Sequence, residues 1–201
     1  LSVVQTLLVV AGLIAFGIWQ ALPAQRANPR LRKMGYWFVW SCAANIIWLI
    51  LWHWNQYLLT QFAMLALLAC LIMIYNLLGT GQNAPASTQE RWLLRLPFSI
   101  YLGWITVATV ANTTILLYDI GFTGGGGSGP QIWTALVLVV ATGIAALMAL
   151  RRRDVAYLLV LAWAFAGIAA KHGGSAMLVS GFAATAVAVV LGLAVFSLVR
   201  P

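Results

Sequence analysis

Residues 97–112, Pro-Phe-Ser-Ile-Tyr-Leu-Gly-Trp-Ile-Thr-Val-Ala-Thr-Val-Ala-Asn, are apolar enough to sit in a membrane, yet they carry Tyr101, Trp104, Thr106, Thr109 and Asn112. On a helix, Trp104, Ala108, Ala111 and Asn112 follow one another at steps of four, three and one. They therefore fall on or beside one stripe made of a ring, two small residues and an amide. Such a stripe can border a pocket for a flat apolar molecule, which gains from stacking and burial. An asparagine facing lipid costs about a kilocalorie per mole or more, so Asn112 is expected to turn inward to another helix or to a ligand.

Other chemistry is sparse. Three acids, Glu90, Asp119 and Asp154, all fall at the ends of apolar runs. No carboxylate is thus placed to relay protons or to bind a coupling cation inside a membrane. Lys171 lies at a run's end, the wrong depth for a retinal Schiff base. His53 and His172 are both expected at the outer interface, where a pair of axial ligands to haem or chlorophyll could meet; solvated interfacial imidazoles are the simpler reading. Cys42 and Cys70 lie inside apolar runs without a C-x-x-C spacing and read as small buried thiols. Neither a catalytic signature nor a zinc pattern is present, so the chain reads as a non-enzyme with no metal site. Lys33, Tyr36 and Val39 fit a reversed sterol motif, a pattern that arises often by chance.

These residues need a scaffold, and composition supplies its class. Of 201 residues, 63% are hydrophobic and 7% charged, with a mean hydropathy of +0.97, values that a water-soluble domain could not present. Seven runs, roughly 2–20, 34–54, 56–79, 93–118, 131–150, 154–171 and 175–199, are long enough or nearly so to cross a bilayer. They are continuous rather than alternating, so helices are expected, not a barrel. The fold class is all-α, a polytopic membrane bundle of about seven helices.

The formal charge of +8 then reads as orientation rather than nucleic-acid binding. Arg26, Arg30, Arg32 and Lys33 follow the first run, Arg91 and Arg95 the third, Arg151 to Arg153 the fifth and Arg200 the last. If all seven runs span, ten of the eleven basic residues share one side, which should be the cytoplasmic face of a cell membrane, C-terminus included.

Several connections carry local signals. Trp52, Trp54 and Tyr57 gather at the hairpin between runs two and three as an aromatic belt. Ser87 and Glu90 match a capping box that would open the fourth helix near Thr88, and Pro97 would kink it and free a carbonyl four residues earlier. Residues 121–130 are Gly-rich and suit either a natural outer loop or an inserted linker. The last three runs are rich in Gly and Ala, which permits close helix packing; the tryptophans concentrate earlier, so a pocket is expected in the front half. The chain starts at Leu1 rather than Met, and a preceding segment is expected.

The run Tyr101-Leu-Gly-Trp104-Ile-Thr-Val-Ala108-Thr109-Val-Ala-Asn112 resembles the fifth-helix signature of the tryptophan-rich sensory protein / translocator protein family. Asn45-Ile-Ile-Trp48 is similar to that family's third-helix Asn-x-x-Trp. The resemblance covers roughly residues 1–120, as helices two to five of a five-helix bundle, followed by the loop 121–130 and three additional helices in 131–201. The family's first helix has no counterpart, and the wall facing the signature should lie before Leu1. Ile100 stands where the family has proline, and Leu117, Tyr118 and Asp119 offer no basic residue for the sterol motif that often follows the family's asparagine, so cholesterol binding is not carried over.

What the resemblance implies is a sensor or transporter that binds a porphyrin or related tetrapyrrole, with Asn45, Trp48, Tyr101, Trp104, Ala108, Thr109 and Asn112 at the site. A second reading from the small-residue helices is an accessory subunit docked in a larger membrane complex, with a homodimer as a separate alternative to that assembly. The expected partners are thus the lipid bilayer, a hydrophobic small molecule and another membrane protein.

Overall fold

The computed structural model describes residues 2–81, 86–122, 129–174 and 176–199. Among these, no residue forms a strand and seven helices are long and apolar enough to cross a membrane. They are α1 (Val3–Ala21 within Ser2–Ala21), α2 (Pro29–His53), α3 (Tyr57–Leu78), α4 (Thr88–Asp119), α5 (Gly129–Arg152), α6 (Val155–His172) and α7 (Met177–Val199). The chain is a multi-pass membrane protein. Large apolar side chains such as Leu7, Ile14, Ile46, Leu59 and Leu136 remain exposed, as helices bathed in hydrocarbon require.

Helix ends follow local chemistry. Asn28 caps α2 by accepting from the Arg30 N–H at 3.0 Å, with Pro29 at the first helical position; that fixed φ suits the first turn, where the missing N–H has no partner anyway. The helix consequently begins five residues before the apolar run expected from 34. At the other end, Asn55 adopts a left-handed φ of 56°, a conformation asparagine tolerates, and turns the chain into α3.

The capping box expected at α4 is present. Ser87 Oγ accepts from the Glu90 N–H and Glu90 Oε2 accepts from the Ser87 N–H, both at 3.2 Å. One α-helical turn is followed by a π-helical segment, Arg91–Arg95, in which the Leu96 N–H bonds to the Arg91 carbonyl. The irregularity expected from Pro97 is thus a wide turn on its N-terminal side, where the missing proline N–H leaves the register free to change.

The chain separates into two compact units, Val3–Thr113 and a second that comprises Thr114 onward. In the first, α2 packs along α3, and a three-ring cluster joins α1, α2 and α4: Phe16, Phe38 and Phe98 meet edge to face with centroids 5.1 to 5.8 Å apart. Gly12 lets α1 approach α4 closely, since a Cβ there would lie 3.1 Å from Pro97 Cβ.

In the second unit α7 packs against both α5 and α6. Ala145, Ala149 and Ala183 are fully buried, which places small residues where the helix axes come close. Asp154 caps α6 by accepting from the Tyr157 N–H at 3.2 Å, and Ser180 Oγ donates to the Ala169 carbonyl between α7 and α6. Cys70 is buried as expected, whereas Cys42 is exposed on α2; its side chain is small and apolar enough to face lipid. The Gly-rich segment falls largely outside the described residues.

Candidate functional site

Within the first unit a cavity of about 320 Å³ lies between α1, α2, α3 and α4. Asn45 and Trp48 line it from α2, and Tyr101, Trp104 and Ala108 from α4. These are five of the seven residues singled out in the sequence, brought together from positions some 60 apart. Helical spacing explains the grouping: Asn45 and Trp48 are one turn apart, as are Tyr101, Trp104 and Ala108, so each set presents one face. The enclosure is completed by Thr6, Val9 and Leu13 of α1 and by Met64 of α3. One wall of this cavity is thus supplied by α1. None of its lining residues carries a charge, an imidazole or a thiol, so the site offers stacking surface and a few neutral polar groups rather than acid–base chemistry.

Thr109 and Asn112 are not among the lining residues. Thr109 is buried and donates its hydroxyl hydrogen to the Ile105 carbonyl at 2.7 Å, a bond that satisfies it within its own helix. Asn112 turns inward, as expected, and finds other helices. Its Oδ1 accepts from Trp48 Nε1 at 3.1 Å, and its Nδ2 donates to Gln61 Oε1 at 2.7 Å and to Thr60 Oγ1 at 3.3 Å. One amide thus ties α2, α3 and α4 together one turn beyond Ala108. Both its hydrogens and one lone pair are engaged. By fixing the indole of Trp48, Asn112 shapes the cavity from outside it.

The aromatic belt continues from that point. Trp48 packs on Trp52 at 5.5 Å with the rings tilted by 32°, and Trp52 meets the edge of Tyr57 at 5.5 Å. The cavity wall therefore runs without a break into the hairpin at the end of α2. Gln61 and Thr60 escaped sequence reasoning because they lie in an otherwise apolar run without a motif. A polar pair four and five residues into a membrane helix is the signal that could have found them.

A larger hollow of about 530 Å³ lies in the second unit between α5 and α7, lined by Leu138, Thr142, Phe182 and Thr185 among others. Both threonine hydroxyls donate to carbonyls of their own helices. It presents no polar handle comparable with Asn45 and Tyr101, and the expectation that any pocket belongs to the front half overlooked it.

The family model described as TSPO-like protein matches residues 6–197. The chain belongs to the TSPO-like protein family. The TSPO-like match spans all seven helices, beyond the first 120 residues that hold the recognisable motifs. No curated protein and no solved structure matches the chain. The relationship expected from Tyr101–Asn112 is therefore met at the level of the TSPO-like family.

Proposed function

We propose that the protein binds a porphyrin or a similarly flat, hydrophobic molecule in the cavity between α1 and α4, as a sensor or transporter of the TSPO-like family. One observation carries this reading. Two tryptophans from different helices, Trp48 and Trp104, border one cavity whose lining is free of charge. A planar ring system there would exchange water or lipid contacts for aromatic stacking, while Asn45 and Tyr101 could orient its polar edge. The volume lies at the lower end of ordinary ligand sites, which span roughly 300–1,000 Å³.

The test is titration of the purified protein with protoporphyrin, followed by tryptophan quenching and by the absorbance of the porphyrin itself. The Trp48→Ala, Trp104→Ala double variant should weaken binding about tenfold or more, since each stacked ring contributes on the order of 1 kcal/mol. Trp40→Ala, altering an exposed ring on α2, should leave it unchanged. Unaltered affinity in the double variant would remove this cavity as the site.

A further inference from the structure

The basic end of the first unit holds a cluster that the cavity does not use. Arg30 Nη1 lies 2.6 Å from Glu90 Oε2, joining the start of α2 to the start of α4. Arg91 follows Glu90 directly in the chain, and Arg95 closes the π-helical segment that begins there. Glu90 is the sole carboxylate residue between residues 3 and 113, so at this end of α2 and α4 three arginines accompany one negative charge. The π turn closes on its fifth residue, which keeps Arg91 and Arg95 on one side of α4. Leu94, 1% exposed, packs into the protein, while Arg91 and Trp92 are exposed.

We propose that Arg30, Arg91 and Arg95 form a site for the phosphodiester of an anionic phospholipid, with Trp92 packed beside its glycerol and upper acyl region. Depth selects the ligand: the cluster sits where α4 passes from polar residues to its apolar span, the level of lipid head groups. Chemistry agrees. Guanidinium forks match phosphate oxygens two at a time, an exposed interfacial tryptophan pairs an apolar body with a polar edge, and an excess of two positive charges disfavours the quaternary ammonium of a choline lipid. Arg30 and Asn45 are fifteen residues apart on α2, about 22 Å along the axis, so this site is separate from the cavity.

The full chain, purified and stripped of lipid, is titrated in neutral detergent with phosphatidylglycerol, phosphatidylcholine or inorganic phosphate, while retained lipid is counted by native mass spectrometry and the thermal midpoint is recorded. Phosphatidylglycerol should be retained and should raise the midpoint, and phosphatidylcholine should do neither. Arg91→Gln, at an exposed position, should weaken phosphatidylglycerol retention about tenfold, the value of one charge-assisted hydrogen bond. Arg32→Gln, an exposed cation outside the cluster, should not. Equal retention of the two lipids, full retention in Arg91→Gln, or an equal effect of inorganic phosphate would each overturn the proposal. Because porphyrin titration reads a different site, either result stands apart from the ligand assignment.

Discussion

Asn112 shows how one side chain can matter to a cavity without lining it. Its amide engages Trp48, Thr60 and Gln61, and each lost bond in an apolar medium leaves a partner stranded. Interhelical hydrogen bonds in membranes average about 0.6 kcal/mol, with buried orphaned groups costing more. Asn112→Leu should therefore destabilise the protein by about 2 kcal/mol, measured by unfolding in mixed detergent. It should also loosen the indole of Trp48, so that porphyrin binding weakens while Trp104 remains in place. The inward turn of this amide was legible from its polarity alone. Its partners were not, because Gln61 belongs to no motif and its role appears only when α3 is laid against α4.

At the scale of elements, the cavity depends on how closely α1 lies against α4. Gly12 makes this approach possible, since even a methyl group there would press on Pro97 at 3.1 Å. Gly12→Leu should cost about 1–3 kcal/mol by overpacking, and it should shift the cavity-lining Val9 and Leu13. The expected readout is a lower thermal midpoint together with altered porphyrin affinity, whereas Gly17→Leu, which meets open space, should change neither. Apolar runs located all seven helices, because burial in hydrocarbon demands them. They misjudged the start of α2, because Asn28, Pro29 and the cations Arg30, Arg32 and Lys33 form regular helix outside the apolar span. The contribution of α1 to the cavity was hidden for a related reason: Thr6, Val9 and Leu13 have ordinary membrane-helix chemistry, and only packing gives them a role.

For the whole molecule, the distribution of arginines yields a prediction about orientation. With Cys42 and Cys70 replaced by serine, an impermeant thiol reagent added to intact cells should label Asn55→Cys. Arg32→Cys should react only after the membrane is opened. The reverse pattern would invert the topology drawn from the basic loops. The match of the TSPO-like family across residues 6–197 makes the three small-residue helices part of this family's layout, although their sequence carries no motif comparable with Tyr101–Asn112. Their legibility is limited by chemistry: alanine and glycine show that helices can come close, but not which faces do.

The knot at Asn112 also limits how this part of the bundle can move. Sliding α4 by one helical turn, about 5.4 Å, would break its hydrogen bonds to α2 and α3 together, with no water in the hydrocarbon to take them over. The three helices are therefore pinned in register, like boards held by a single bolt. Relative motion of these helices is therefore confined to pivoting or bending about that pin rather than axial travel.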